Sequence, residues 1–141
     1  MSTDRCLFCR IASGETDTTF VLQSTLSVVF LDINPVRPGH ALIVSRRHAK
    51  EFCDLTDEEL LDFVRLARRV AHAQRKLFAP KRVGLFAAGF DVAHAHMHVL
   101  PLYEYHDLTS QVLLEGKVRR AEPAELQSVY EKYAEQFAAE G

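Results

Sequence analysis

The stretch His94-Ala95-His96-Met97-His98-Val99-Leu100-Pro101 decides how this sequence folds and what chemistry it can carry. Successive side chains of a β-strand point to opposite faces of a sheet, so an extended stretch places its three histidines on one face. The apolar residues between them face the other way. We predict a strand over residues 94–100 that ends at Pro101, because proline cannot donate a sheet hydrogen bond.

Three imidazoles on one strand face are poorly explained by packing alone. Each needs a hydrogen-bond partner when buried, and protonation of several at once brings like charges together. Three interpretations are open at this point: a solvated face that is rich in histidine, a metal site built from all three side chains, and a catalytic site. Imidazole near neutral pH can serve as ligand, general base or nucleophile, so the strand alone does not choose.

The rest of the chain predicts an α+β fold around this strand. Further β-rich runs cover residues 18–22, 26–31, 41–44 and 83–87. Thr56 and Glu59 form a capping-box pattern before a long amphipathic helix, whose expected apolar stripe contains Leu60, Val64, Ala67, Ala71 and Leu77. A short N-terminal helix and a C-terminal helix that starts at Pro123 complete the prediction of a five-stranded antiparallel sheet with one long helix.

Composition limits the classes of protein to which the chain can belong. Its 141 residues, 48% of them hydrophobic, suffice for one core, so we expect a single domain over residues 1–141. The net charge of −2 and the scattered bases disfavour a nucleic-acid partner. No apolar run approaches the roughly 20 residues that span a bilayer, and residues 1–10 lack the apolar core of a signal peptide. We therefore expect a cytoplasmic protein with no membrane partner.

The three cysteines are an odd number, and two of them form the pair Cys6-x-x-Cys9. In a reducing compartment this spacing favours metal binding or redox chemistry over a structural disulfide. No strand-to-helix pattern of the thioredoxin kind flanks the pair. Cys53 is expected to be a spare buried thiol.

Three separated segments of the sequence resemble the histidine triad (HIT) family. They are the histidine strand at residues 94–101, the segment 6–15 that contains the cysteine pair, and the loop 30–40, which continues in register through residue 48. The similarity covers residues 6 to about 101. It implies a HIT-like fold, and it leaves residues from about 110 to 141 as a C-terminal extension.

The resemblance implies a hydrolase or transferase that acts at the α-phosphate of a purine nucleotide derivative. The candidates are an AMP-linked phosphoramidate and a dinucleoside polyphosphate. His96 would attack the α-phosphorus and form a nucleotidyl-histidine intermediate, while a backbone carbonyl holds its distal N–H. His98 would contact the phosphate and stabilise its charge, and His40 would lie near the same phosphate.

The family's nucleoside pocket maps onto Phe8, Ile11, Phe30 and Ile33 for the base, with Asp32 accepting hydrogen bonds from the ribose. An apolar slot with one carboxylate suits a nucleoside. Taken singly, these apolar residues are more often core residues, and Asp32 is equally typical of a turn. Only their place in the motif favours the binding role.

The sequence departs from the family pattern just before the histidine strand. Phe90 stands where many members have glutamine, and Asp91, a further nucleotide-site candidate, stands where Ser, Thr or Glu is frequent. Pro101-Leu102 lacks a frequent arginine. These changes leave the leaving group open, and they keep an alternative function in view: a non-catalytic, nucleotide-binding interaction module stabilised by zinc.

The resemblance also implies a structural zinc ion, one per chain, held by Cys6, Cys9, His48 and His94. Zinc in structural sites takes four nitrogen or sulfur ligands, and all four positions carry one. Such an ion would fasten the N-terminal segment to the histidine strand without entering the reaction. Family members commonly form homodimers through the long helix and a sheet edge, so we expect a homodimer.

Overall fold

The computed structural model describes residues 6–109 and 119–140. The predicted C-terminal extension therefore begins, at residues 110–118, outside the described part. In chain order the elements are α1 (Leu7–Ala12), β1 (Leu22–Gln23), β2 (Ser27–Leu31), β3 (Ala41–Ser45), a 3₁₀ turn (Phe52–Asp54), α2 (Asp57–Phe78), β4 (Arg82–Phe86), β5 (His96–Leu102), α3 (His106–Thr109) and α4 (Pro123–Ala139).

The five strands form one antiparallel sheet in the order β1-β2-β3-β5-β4. This confirms the predicted fold class. The histidine strand β5 lies between β3 and β4, with His96 opposite Val44 and His98 opposite Leu42. On its other side, His98 is opposite Phe86. The fold thus places both histidines in the sheet, where β3 pairs with His96 and both neighbouring strands pair with His98.

Strand β5 differs from its prediction at both ends. It starts at His96, because Ala95 leaves the strand path and donates its N–H to the Ala49 carbonyl at 2.7 Å. It also runs through Pro101 to Leu102. The pairing with β3 stops at Val99, so proline occupies a position with one neighbouring strand, where its missing N–H is tolerated.

Strand β1 has two residues where the sequence predicted five. Its place along the end of β2 is taken by the C-terminal segment. The Leu31 N–H donates to the Tyr130 hydroxyl at 3.2 Å, and the Ala121 N–H donates to the Ile33 carbonyl at 2.8 Å. These bonds satisfy backbone groups that a longer β1 would otherwise pair.

Helix α2 begins as predicted. The Thr56 side chain accepts from the Glu59 N–H, and the Glu59 carboxylate accepts from the Thr56 N–H. Arg47 donates to the same buried carboxylate, at 2.8 Å for its shortest contact, and together with the Thr56 bonds it lowers the pKa of Glu59 to about 2. The residue before His48 is thereby fastened to the start of α2.

The buried face of α2 is centred elsewhere than predicted. Its largest buried residues are Phe63, Leu66 and Val70, whereas Val64 is 49% exposed, so its place in the predicted stripe is wrong. One residue along a helix turns about 100°, and burial of Phe63 therefore carries Val64 out toward solvent. Gln74 lies fully buried on this mainly apolar face.

Helices cover both faces of the sheet. Helices α2 and α4 pack on one face, against a cluster that includes Val29, Ile43 and Val99. Helix α1 packs on the other, where Phe8 meets the residues that neighbour the histidines. Cys53, expected to be buried, is exposed because the 3₁₀ turn carries it outward. No helix in the described ranges combines the length and apolarity that crossing a bilayer requires.

Candidate functional site

His96 is held in one tautomer by the backbone. Its Nδ1 lies 2.6 Å from the His94 carbonyl oxygen, and because a carbonyl only accepts, Nδ1 must carry the proton. In the neutral ring the lone pair therefore resides on Nε2. The ring is 7% exposed and meets Phe8 edge-on, with ring centroids 5.1 Å apart. This arrangement leaves one imidazole nitrogen ready to act as a nucleophile or base.

A directed chain of hydrogen bonds leads to His98. The Val36 N–H donates to Nδ1 of His40 at 3.2 Å, so His40 carries its proton on Nε2. That Nε2–H donates to Nδ1 of His98 at 2.9 Å. Neutral His98 is then left with its own proton on Nε2, as a donor to a ligand. Phe86 stacks on its ring at 4.4 Å between centroids.

His40 and His98 are both held neutral. Burial, with smaller contributions from His40 and His96, lowers the pKa of His98 to about 3. Burial also lowers the pKa of His40, although Asp32, whose carboxylate lies 3.7 Å from Nε2, opposes the shift. A neutral imidazole with a fixed N–H can donate to a phosphoryl oxygen without first losing or gaining a proton.

Two buried polar side chains donate hydrogen bonds to the backbone next to His40 and His98. The amide nitrogen of Gln74 donates to the carbonyls of Gly39 and Val99, each at 3.0 Å. The hydroxyl of Tyr133 donates to the same Gly39 carbonyl at 2.6 Å. Gly39 directly precedes His40, and Val99 directly follows His98. These bonds therefore hold together the two backbone segments whose imidazoles must meet.

A cavity of about 460 Å³ opens over the two histidines. It brings together all but one of the residues that the resemblance assigned to the nucleotide and the reaction: Phe8, Ile11, Phe30, Asp32, Ile33, Asp91, His96 and His98. Its walls are mainly apolar, and the Asp32 carboxylate lies within 4.8 Å of a ring nitrogen of His98. The size and lining suit a small ligand such as a nucleotide.

His40 is the exception. It was expected beside the phosphate, but it is 3% exposed, lies behind His98 and lines a neighbouring cavity of about 450 Å³. It contacts residues of this site through the hydrogen bond to His98 and through the Asp32 carboxylate, 3.7 Å from its Nε2. Phe90, at the position where glutamine is frequent, is 95% exposed. It offers no polar group to the cavity.

Sequence analysis missed the contribution of the C-terminal helix. Pro123, Leu126, Gln127 and Tyr130 line the same cavity as residues of α1 and β2. Their spacing, with intervals of three and four, was a visible signal of a shared helix face. Gln74 was also missed, although a glutamine on the apolar stripe of α2 is the kind of residue that needs buried partners.

The cysteine pair meets two histidines at a second cluster. The ligand atoms of Cys6, Cys9, His48 and His94 all lie within 4.8 Å of one another. Separations include 3.3 Å for Cys6 Sγ to His94 Nδ1, 3.2 Å for Cys9 Sγ to His48 Nδ1, and 3.3 Å between the two Nδ1 atoms. Tetrahedral zinc places such ligand atoms about 3.3–3.6 Å apart, so the donor set fits this ion.

The protonation of His94 supports the same fit. Its Nε2 lies 2.7 Å from the Ser45 carbonyl and must donate, which leaves a lone pair on Nδ1 among the thiols. Burial and the neighbouring Cys6 raise the pKa of the Cys9 thiol to about 11. Two sulfur and two nitrogen atoms that converge form the donor set of a closed zinc site, so the geometry fits metal binding better than redox chemistry.

Comparison with known proteins agrees with this architecture. The chain matches the HIT domain model over residues 13–105. An uncharacterized HIT-like protein of Methanocaldococcus jannaschii is 33% identical over 103 residues, which are 70% of this chain and 80% of that protein. The adenosine 5′-monophosphoramidase of Schizosaccharomyces pombe is 31% identical over 101 residues, 68% of this chain and 73% of that protein.

Solved structures share the fold. A hypothetical histidine triad nucleotide-binding protein from Sulfolobus tokodaii aligns with a TM-score of 0.79 at 21% identity, over 95% of this chain and 93% of that one. A zinc-bound histidine triad family protein from Mycobacterium smegmatis aligns with a TM-score of 0.73 at 22% identity, over 98% and 99%. At these identities the likeness concerns the fold alone.

Proposed function

The chain belongs to the HIT domain family, and on that premise we propose that it hydrolyses or transfers the nucleotidyl group of a purine nucleotide derivative. Two yeast relatives, at 31% and 33% identity, are named adenosine 5′-monophosphoramidases. The substrate we propose is accordingly an AMP-linked phosphoramidate or a dinucleoside polyphosphate. The observation that carries the proposal is the His96 ring, locked by the His94 carbonyl with Nε2 unprotonated over a nucleotide-sized cavity.

The reaction proceeds in two displacements. The Nε2 lone pair of His96 forms a bond to the α-phosphorus, while the bond from phosphorus to the leaving group breaks and its electron pair departs with that group, which takes up a proton from solvent. Water then attacks the phosphorus and releases a proton to solvent, or another acceptor attacks in its place, and the phosphorus–nitrogen bond breaks to restore His96. The fixed Nδ1–H to carbonyl bond keeps the same nitrogen available in both steps.

Other residues bind and orient the nucleotide. His98 donates its Nε2–H to a phosphoryl oxygen, where negative charge increases during each displacement. Asp32 accepts from the ribose hydroxyls. Phe8, Ile11 and Phe30 hold the base, as their place around the cavity allows. His40 acts through His98, whose tautomer it fixes.

We also propose that Cys6, Cys9, His48 and His94 hold one structural zinc ion per chain, as in the zinc-containing branch of the family. The fit of the four ligand atoms supports this site. The ion would supply a cross-link between the N-terminal segment and the residues that enter β5. It lies outside the cavity chemistry, since His94 contributes its side chain to the cluster and only its carbonyl to His96.

A homodimer through α2 and the edge strand β4 is a further part of the proposal. Leu61 and Val64 are 57% and 49% exposed on α2, and Leu85 is 49% exposed on β4. The acids of α2 all lie in its first six residues, and its bases follow them. Two antiparallel copies of α2 would therefore pair acidic with basic halves. Light scattering of Leu61→Glu against wild type tests this surface.

The function is tested with adenosine 5′-phosphoramidate and diadenosine tetraphosphate as substrates. Wild type is expected to turn over at least one and to form an acid-labile adenylyl adduct visible by mass spectrometry. His96→Ala should lose the adduct and at least about 10³-fold in kcat. His106→Ala, at an exposed histidine outside the cavity, serves as the matched control and should behave as wild type.

The negative outcomes separate the two candidate functions. Nucleotide binding without turnover or adduct in wild type would replace the enzyme with a non-catalytic nucleotide-binding module. Turnover that survives in His96→Ala would remove His96 from its role. Absence of both binding and turnover would overturn the proposal as a whole.

A further inference from the structure

We propose that α4 forms the second wall of the base subsite and that Gln127 reads the edge of the base, giving a preference for adenine over guanine. This inference rests on the proposed nucleotide function and deepens it. It assigns binding residues outside the family segment, because the family match ends at residue 105 and α4 begins at Pro123.

The placement of Gln127 follows from the helix geometry. Pro123, Leu126, Gln127 and Tyr130 stand at positions i, i+3, i+4 and i+7, which share one face of a helix, and all four line the cavity. Leu126 and Tyr130 also pack against the core cluster that contains Tyr133, so the cavity face of α4 adjoins its core face. Pro123 and Gln127 lie on the exposed side of this face and line the cavity from there.

The wall is held at a fixed distance from the base residues. The Tyr130 hydroxyl accepts from the Leu31 N–H, and the Ala121 N–H donates to the Ile33 carbonyl. Leu31 and Ile33 flank Asp32, the proposed ribose ligand. Two hydrogen bonds thus tie the C-terminal segment to the backbone on both sides of the sugar site, so the wall and the floor of the subsite form one unit.

The two walls complement a purine. Phe8 and Phe30 meet edge to face, with centroids 5.5 Å apart, and form the apolar side. Leu126 and Tyr130 offer apolar surface from α4, both half-buried. A planar aromatic base between such surfaces removes apolar area from water on both of its faces.

The carboxamide of Gln127 supplies the discrimination. Its nitrogen donates one N–H to Glu131 at 3.3 Å, which leaves the second N–H and the oxygen for a ligand. Adenine presents an amino donor beside the N7 acceptor, the complement of that pair. Guanine presents two acceptors there, so the carboxamide oxygen would meet another acceptor.

The experiment measures dissociation constants of AMP, GMP and IMP by isothermal titration calorimetry, which needs no turnover. Wild type should bind AMP more tightly than GMP or IMP. Gln127→Leu keeps the apolar wall and removes the hydrogen bonds, so AMP affinity should fall on the order of tenfold and the AMP-to-GMP ratio should approach one. Ser128→Ala, at the next residue on α4 and lining the neighbouring cavity, is the matched control.

The outcomes separate this inference from the function on which it rests. If wild type and Gln127→Leu bind AMP with the same preference over GMP, Gln127 does not read the base, and the proposed function stands. A preference that Ser128→Ala loses equally would also overturn the assignment, since the effect would then belong to the helix as a whole. If wild type binds none of the three nucleotides, both proposals fail.

Discussion

Two clusters of ligand-capable atoms each take one histidine from residues 94–98, yet they are built in opposite ways. In what we call the thiol cluster, Cys6, Cys9, His48 and His94 direct their donor atoms at one another. In what we call the imidazole chain, His40 and His98 are linked from donor to acceptor beside Asp32. In each group the ligand atoms lie within 4.8 Å of one another. Only in the thiol cluster do the lone pairs of these atoms converge on one point.

The difference is set by the partner of the remote ring nitrogen. His94 gives its Nε2–H to a carbonyl, which leaves Nδ1 free to bind a metal. His40 instead accepts an N–H on Nδ1, so the nitrogen that faces His98 carries a proton and cannot be a ligand. Backbone groups, rather than the histidines themselves, decide which cluster suits zinc and which suits phosphate.

The largest expected effect comes from breaking the thiol cluster. Cys9→Ser should lose the zinc and lower the unfolding midpoint by more than about 10 °C, because metal binding there is part of the folding free energy. Metal analysis and thermal unfolding followed by circular dichroism measure both. Cys53→Ser, at an exposed cysteine outside the cluster, should match wild type. Equal stability of zinc-free and zinc-loaded protein would contradict the structural role.

The second effect tests the imidazole chain. His98→Asn removes the oriented N–H that we assign to the phosphate, so kcat should fall about 10²- to 10³-fold. Zinc content should be retained, because His98 is not among the atoms of the thiol cluster. Steady-state kinetics and metal analysis on one preparation provide the comparison. Loss of zinc with little loss of kcat would show that the two clusters are not separable in this way.

The third effect distinguishes the clusters by pH. The pKa of His98 is about 3 in the folded chain, against an ordinary value of 6.5. Below pH 6.5 the unfolded chain therefore binds a proton at His98 that the folded chain does not bind. The free energy of unfolding should therefore fall as the pH decreases from 6.5, and should level above it. His40 acts in the same direction. Urea unfolding at pH 7, 6 and 5 measures the slope.

The control for this slope is the His98→Asn variant, which should show a shallower decrease between pH 6.5 and 5. Glu59, with a pKa of about 2, adds its own loss of stability only below its ordinary value of 4.5, outside that window. An unchanged slope in His98→Asn would mean that His98 does not resist protonation in the folded chain.

The smallest effect probes the support of the imidazole chain. Tyr133→Phe removes the O–H that donates to the Gly39 carbonyl and should cost about 1 kcal/mol in the free energy of unfolding. Gln74 still donates to that oxygen, so the loss is not compounded by an unpaired acceptor. Tyr105→Phe, at a residue 93% exposed, is the matched control. Equal denaturation curves for the two variants would assign the Tyr133 hydroxyl no role in stability.

Local sequence signals were sufficient for most of the fold. The five strands and the cap at Thr56 and Glu59 depend on alternation and on hydrogen bonds between near neighbours, which a sequence displays directly. The position of Val64 was wrong because apolar residues on α2 occupy more than one stripe. The packing of α2 against the sheet decides which of these stripes is buried.

The candidate site was predicted less completely, and for a physical reason. The family segments identified Phe8, Asp32, His96 and His98, all of which the structure brings to one cavity. They gave no indication that His40 lies behind His98 and donates to it. The tautomer of His40 that makes this possible depends on the backbone N–H of Val36, four residues away. The sequence also could not predict which face of α4 lines the cavity, because that depends on how α4 docks against strands that are distant in the sequence.

His94 serves two neighbours with different parts of one residue. Its imidazole belongs to the thiol cluster, while its carbonyl oxygen accepts from Nδ1 of His96 at 2.6 Å. A single residue is thus shared by the thiol cluster and His96, the proposed nucleophile. A redesign that replaces the two cysteines and two histidines of the thiol cluster with apolar side chains must keep the orientation of the His94 carbonyl. That carbonyl sets the orientation of the His96 ring.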